Sequence, residues 1–223
     1  GLIGVLFLII YAYVSSLFIS HGQIHNLIIL LLGVIFFLKF YFLNPKGEDW
    51  NYFFLIFFIL LIGAFIFKTH DDFPYYHFSY SHYLTENSII FGIGQFNLGY
   101  RTPSSIFYLN SLFYLPFVKY FMFHMPAILI MGFSNLILLI KLKKNVSNHQ
   151  INFVTYFTLL VFIFINIFFY RIAEHGTDKS AQILIFLLFI EILLLSNFKI
   201  NISNQTSKLY ILIGLIISFK AFY

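Results

Sequence analysis

The chain of 223 residues is 61% hydrophobic, 22% aromatic and 9% charged, with a formal net charge of +5 and no cysteine. A water-soluble domain usually has about a quarter of its residues charged, because polar side chains must cover its surface. The composition therefore excludes a soluble globular domain and indicates a protein whose solvent is largely lipid. The absence of cysteine excludes disulfide bonds, cysteine-ligated zinc and thiol catalysis.

Apolar runs divide the chain, and most approach the ~20 residues that a helix needs to cross a bilayer. None alternates apolar and polar residues as a membrane barrel strand would. The sequence therefore predicts an all-α, multi-pass transmembrane bundle, in a single integral membrane domain over residues 1–223. Because the chain starts with Gly and its last run reaches the chain end, we expect a piece of a longer protein. The runs, about seven in number, span roughly residues 2–19, 27–43, 51–67, 117–140, 152–170, 181–196 and 209–223.

The charged residues predict the orientation, since cytoplasmic loops of membrane proteins carry an excess of Lys and Arg. Lysines concentrate in one set of loops, whereas most acids and several histidines concentrate in the other set. We therefore expect a bacterial inner-membrane protein with its acidic loops in the periplasm. The pI of about 9.2 follows from these lysines and does not indicate nucleic-acid binding. The first set holds Lys46, Lys141, Lys143, Lys144, Lys199 and Lys208, and the second holds Asp71, Asp72, Glu86, Glu174 and Asp178.

The segment 68–116 is the longest polar and aromatic stretch, and it belongs to the predicted periplasmic side. Loops of this length are usually functional or disordered, and the many aromatic residues here argue against disorder. Asp72 is a candidate N-cap and Pro74 suits a first helical turn, so an interfacial helix is predicted after them. A second surface helix is predicted from Pro103 to about Leu115. The first helix would present Tyr76, Tyr80, Tyr83 and Leu84 on one face, and Gly92, Gly94 and Gly99 would permit tight turns or close approach to a ligand.

The pair Asp71–Asp72 has two interpretations. It can be a solvated helix cap, which is the ordinary role of such a pair. It can also supply a general base or a metal ligand at the membrane surface, with His70 and His77 nearby and Tyr76 on the same helix.

Two further elements belong to the same predicted face. Arg101, in GYRTPSS, can extend to lipid headgroups, or it can bind a phosphate together with backbone amides and the Ser104 and Ser105 hydroxyls. The connection RIAEHGTDKSAQ can be a simple helix-opening turn, or it can bring His175 and Asp178 to the depth of the acidic loop.

Five sequence motifs together resemble those of a known superfamily. They are the H-D-D at a helix end, the Y-H after it, the glycine-rich turn with its arginine, the P-S-S stretch and the later G-T-D. They are similar to bacterial multi-pass proteins of the C-type glycosyltransferase (GT-C) superfamily, and more narrowly to membrane proteins related to the LIC family of Leptospira. The resemblance covers roughly residues 52–196. The acidic loop here follows the third visible run, whereas it follows the first in typical members.

The resemblance implies a transferase that takes a sugar from a polyprenyl-phosphate donor and transfers it to a cell-envelope glycan or lipid. It implies that Asp72 or Asp71 is the essential acid of the large external loop and that Arg101 is a candidate ligand for the donor phosphate. The residues themselves leave open what completes the site: Asp178, His175 or a divalent cation, with no motif that names a metal.

Two alternatives remain at this stage. A transporter or flippase would use polar groups within the spans, for which Glu191, Asn135 and Asn166 are the candidates. A non-catalytic envelope-assembly protein would use the aromatic loop as a docking surface.

Overall fold

The computed structural model describes residues 1–44, 49–65, 72–101, 103–168, 177–197 and 202–220. Within these ranges the chain is helical and has no strand, apart from an isolated bridge between Leu115 and Lys119. The all-α prediction is therefore confirmed. Three predicted site residues, His70, Asp71 and His175, lie outside the described residues.

The described ranges contain nine α-helices, and a π-helical turn at Phe73–His77 leads directly into the fourth of them. They are α1 (Leu2–Ser16), α2 (Gln23–Leu43), α3 (Trp50–Ala64), α4 (Phe78–Glu86), α5 (Ser105–Leu112), α6 (Met125–Ser147), α7 (Phe153–Phe168), α8 (Thr177–Asn197) and α9 (Ile202–Phe219).

In the part of the chain that the structure describes, two helical segments are long and apolar enough to cross a membrane: Gln23–Leu43, and Tyr120–Ser147, which is α6 with the 3₁₀ turn before it. The shorter apolar helices include Leu2–Ser16 and Phe153–Phe168. At 1.5 Å per residue, a helix of this shorter kind is ~23 Å long, less than the ~30 Å of a bilayer core. Length and apolar composition together therefore support two of the predicted spans among the described residues.

The long loop and the turn between α1 and α2 meet at one end of the bundle, called the loop end below. The backbone N–H of His21 donates to the carbonyl of Leu84 at 2.8 Å, and that of Ile89 donates to the carbonyl of Ser16 at 2.8 Å. The last turn of α9 reaches the same end, because the Ser104 hydroxyl donates to the carbonyl of Phe219 at 2.7 Å.

The opposite end of the bundle joins α2, α3 and α6. The indole N–H of Trp50, at the start of α3, donates to the carbonyl of Asn44 just after α2 at 2.8 Å. The ammonium of Lys143, near the end of α6, lies 5.3 Å above the ring of Tyr52. Thus α1 ends at the loop end, α2 runs away from it, α3 returns towards it, and α6 runs away again.

The loop helices pack into the bundle, which corrects their predicted surface placement. All eight residues of α5 are buried, and this helix packs against α1, α4, α6 and α9. On α4, Tyr80 and Leu84 are only 2% and 0% exposed, and the Tyr80 hydroxyl lies 2.7 Å from that of Tyr108. The sequence SIFYLNSL is largely apolar on every side, so α5 is stabilised by complete burial rather than by a half-solvated position.

The bounds of two elements also differ from prediction. Helix α5 begins after Ser104, whose hydroxyl accepts from the backbone N–H of Ile106 at 3.3 Å, and it ends at Leu112 rather than near Leu115. The run predicted from residue 117 starts as a helix only at Met125. Phe117 and Lys119 have φ angles of 69° and 47°, a left-handed conformation that interrupts a helix.

Candidate functional site

Asp72 stands at the start of the described part of the long loop, where the π-helical turn begins. Its backbone carbonyl accepts from the N–H groups of Tyr75 and Tyr76, each at 3.2 Å. It occupies the predicted N-cap position, but its side chain does not hydrogen-bond to the following backbone. Instead, the Tyr76 hydroxyl donates to Oδ2 of Asp72 at 3.5 Å, which is long for a hydrogen bond. The Asp72 carboxylate therefore contacts the Tyr76 side chain and does not cap the helix.

Asp178 lies in the first turn of α8 and forms an ion pair with Lys220, one residue beyond the end of α9. The Lys220 ammonium and Oδ1 of Asp178 are 2.7 Å apart, with the two side chains 34% and 50% exposed. Helices α8 and α9 pack extensively against each other, and this packing brings the two residues together. The pair is open to solvent on one side, so its energy is modest and it can exchange partners.

Tyr76 connects Asp72 to this ion pair. Its pKa is raised above the ordinary value by burial first and then by the charges of Asp72 and Asp178, while Lys220 acts in the opposite direction. The phenol therefore keeps its proton at neutral pH and can donate a hydrogen bond. Asp72, Tyr76, Asp178 and Lys220 are called the loop-end cluster below. It brings together three residues, Asp72, Tyr76 and Asp178, that the sequence analysis selected from separate segments.

The glycines of the loop allow close packing against the cluster. A Cβ atom at Gly99 would clash with Cβ and Cγ of Tyr76, so only glycine lets this backbone rest on the tyrosine ring. The predicted close approach is therefore to a side chain of the protein. Arg101, two residues later, is exposed, and its Nε donates to the carbonyl of Gly94 at 3.4 Å. This hydrogen bond holds the Arg101 side chain on the loop beside Tyr76. It does not connect the guanidinium to the carboxylates of Asp72 or Asp178.

Three other candidate side chains make packing or capping contacts in the structure. The Ser104 hydroxyl caps α5 and donates to the end of α9, and the Ser105 hydroxyl lies 3.1 Å from that of Tyr13. Both serines are therefore used in helix packing. His77 is 4% exposed, and its ring lies 4.4 Å from that of Tyr76 and 5.0 Å from that of Phe107. It belongs to the aromatic core behind the cluster.

Lys220 was not predicted from the sequence, although the spacing contains a signal for it. Asp178 lies 19 residues before the end of α8 at Asn197, and Lys220 lies 18 residues after the start of α9 at Ile202. In two consecutive antiparallel helices joined by a short connection, residues equally far from the connection lie side by side. A helical hairpin formed by the last two apolar runs therefore places Lys220 beside Asp178.

The described residues contain no group of three or more His, Asp or Glu side chains arranged to hold a metal ion. Comparison with protein-family models, with curated proteins and with solved structures gives no match. The chemistry of the site is therefore argued from its geometry.

Proposed function

We propose that the chain is a multi-pass membrane protein, with the loop end at the periplasmic face of a bacterial inner membrane. Helix α2 supports this placement, because Asn26 is its one buried residue and its remaining, largely apolar surface is open. Large apolar side chains point outward on α1 and α3 too, among them Phe7 (66% exposed) and Phe58 (72% exposed). Such a surface is unfavourable in water and favourable in lipid.

We further propose that the loop-end cluster transfers a sugar from a polyprenyl-phosphate donor to a hydroxyl of a cell-envelope glycan or lipid. The observation that carries this proposal is the convergence of a carboxylate, a protonated phenol and a lysine–carboxylate pair at the face expected to be periplasmic. A carboxylate can act as a general base, while a phenol and an ammonium can stabilise an anionic leaving group.

In the proposed reaction, Asp72 takes the proton of the acceptor hydroxyl while that oxygen forms a bond to the anomeric carbon. The bond between this carbon and the phosphate oxygen breaks, and its electron pair stays on the phosphate. Lys220 moves from Asp178 to the departing phosphate, and Tyr76 donates a hydrogen bond to it. Arg101 remains a candidate second ligand for the phosphate, from the loop beside Tyr76. The products are the glycosylated acceptor, polyprenyl phosphate and a protonated Asp72.

The test is Asp72→Asn in the full chain, reconstituted in vesicles with labelled polyprenyl-phosphate hexoses and extracted envelope lipids. We expect transfer of label to fall by about 10²- to 10⁴-fold, the usual contribution of a general base. Glu86→Gln is the matched control, because Glu86 is an acid of the same loop that is 62% exposed and lies 3.9 Å from His82, outside the cluster.

Full activity in Asp72→Asn, or an equal loss in Glu86→Gln, would refute the role of Asp72. Lys220→Met provides an independent measurement, because it removes the proposed leaving-group contact but leaves the base. We expect it to lower transfer as well, with Lys220→Arg retaining part of the activity.

The transporter alternative would use polar groups within the helices, and two pairs of the described ones bind each other. Asn135 and Asn166 exchange side-chain hydrogen bonds at 3.1 and 2.7 Å, and the Lys141 ammonium lies 2.5 Å from Glu191. Pairs of this kind hold neighbouring helices together. Solute uptake that required Glu191 and not Asp72 would favour transport over sugar transfer.

A further inference from the structure

A second charged group lies at the other end of the bundle, away from the loop-end cluster. Lys141 of α6, Glu191 of α8 and Lys208 of α9 each stand six residues from the end of their helix that is opposite the loop end. At 1.5 Å per residue this places their backbones ~9 Å inside the helix ends. Glu191 and Lys208 also line one groove of about 240 Å³, together with apolar side chains from α1, α6, α8 and α9.

The charges in this groove do not balance. Glu191 is 13% exposed and neutralises Lys141, which is 22% exposed, through the 2.5 Å ion pair. Lys208 lines the groove itself and is exposed, whereas Lys141 reaches the groove only through its ion pair with Glu191. The three side chains therefore carry a net charge of +1 on a surface that is otherwise apolar. A cation near hydrocarbon is costly unless an anion or water reaches it.

We propose that this groove binds an anionic phospholipid of the cytoplasmic leaflet, with the lipid phosphate on Lys208 and an acyl chain along the apolar wall. The wall consists of Leu2, Ile137, Leu187 and Leu212. The charge selects a phosphate, and the flexible lysine side chain can extend from the groove towards the helix end, where the lipid phosphates lie. This proposal depends on the transmembrane placement but not on sugar transfer.

The role of Glu191 follows from the same charges. Its carboxylate holds Lys141, which does not line the groove, so Lys208 is the lysine that the groove offers to a lipid. The pair therefore limits the site to one monoanionic headgroup. Removing the charge of Glu191 releases Lys141 and should strengthen the binding of anionic lipid.

The experiment measures lipids retained by the full chain, transferred from nanodiscs of equimolar phosphatidylcholine and phosphatidylglycerol and analysed by native mass spectrometry. We expect the wild type to retain phosphatidylglycerol preferentially. Lys208→Ala should lower that retention by about tenfold, the effect of losing one charge-assisted contact. Lys144→Ala is the matched control, because Lys144 is an exposed lysine near the same end of α6 that does not line the groove. Glu191→Gln should raise the retention.

Equal retention of both lipids by the wild type, or equal losses in Lys208→Ala and Lys144→Ala, would overturn the proposal. Displacement of phosphatidylglycerol by inorganic phosphate would also overturn it, since the groove would then serve a soluble anion. Lys208→Arg guards against misfolding, because it keeps the charge and should retain the lipid. If Lys208→Arg loses the lipid as completely as Lys208→Ala while remaining folded, the charge argument is wrong.

Discussion

Acidification should weaken the loop end through His21, which lies in the turn between α1 and α2. The side chain is fully buried, with Nε2 2.8 Å from the Ser15 hydroxyl and Nδ1 2.7 Å from the Ser111 hydroxyl. Ser111 donates its own proton to the carbonyl of Tyr108 at 2.8 Å, so it accepts from His21, and Nδ1 carries the imidazole proton. In this tautomer Nε2 accepts from the Ser15 hydroxyl, which can also donate to the carbonyl of Ala12 at 3.3 Å. A second proton on the ring is disfavoured mainly because the imidazolium would be buried away from water.

The magnitude follows from the pKa of His21, which falls from 6.5 to about 4, mainly because of burial and then because of the charge on His25. Between these two pH values the unfolded chain binds a proton that the folded chain does not. The contribution of neutral His21 to the free energy of unfolding is therefore fully present above pH 6.5. It decreases as the pH falls towards 4. At 1.36 kcal/mol per pKa unit, the free energy of unfolding should decrease by about 3 kcal/mol over this interval.

The assay is thermal unfolding of the full chain in detergent micelles, followed by circular dichroism across this pH interval. His21→Gln should have lower stability at neutral pH but a much flatter pH dependence. His149→Gln, which changes an exposed histidine in the connection between α6 and α7, should keep the wild-type pH dependence. A pH dependence that persists in His21→Gln would show that another group is responsible, and the reasoning from burial would be wrong.

Two further predictions concern the contacts between the long helices. Gly132→Ala should lower the free energy of unfolding by about 1–3 kcal/mol, because the new Cβ would lie 2.6 Å from Cζ of Phe57, whereas Gly33→Ala meets no neighbour and should be neutral or slightly stabilising. Asn166→Leu should cost about 1–2 kcal/mol, because it leaves the buried Asn135 without its reciprocal amide. Both predictions are tested with the same unfolding assay. The packing argument is contradicted if the two glycine substitutions change stability equally. It is also contradicted if Asn166→Leu leaves stability unchanged.

The helical class was predictable because the apolar runs are long and lack alternation. The placement of α4 and α5 was not predictable from the same signal. A helix such as α5, with apolar and small polar residues on all sides, has the same composition whether it lies at a membrane surface or inside a bundle. The deciding contacts come from distant segments, such as the Ser105 hydroxyl with Tyr13 and the Ser104 hydroxyl with the end of α9. Local periodicity contains no information about those partners.

The candidate site was predictable in part for a related reason. Scarce charges in an apolar chain cluster where water is available, so Asp72 and Asp178 could be selected from the sequence. Their partners depend on the helix order: Lys220 meets Asp178 only because α8 and α9 are antiparallel neighbours. The contacts of Ser104 and Ser105 could not be predicted in the same way, because a hydroxyl near a helix start can serve capping and packing as well as ligand binding.

The two sides of the loop-end cluster differ in rigidity, and this difference suits the proposed reaction. Tyr76 is held by its contacts with Gly99 and the ring of His77, on a segment whose helix α4 is tied to α5 and to the turn after α1 through buried groups. Asp72 precedes that segment, so a base placed there would keep a fixed position relative to an acceptor. Lys220 and Asp178 are half-exposed and face water, so the ammonium can leave its carboxylate when a phosphate arrives at little energetic cost. A positioned base beside an exchangeable cation is the arrangement that a transfer from a lipid phosphate requires, because the acceptor must be held while the leaving group departs.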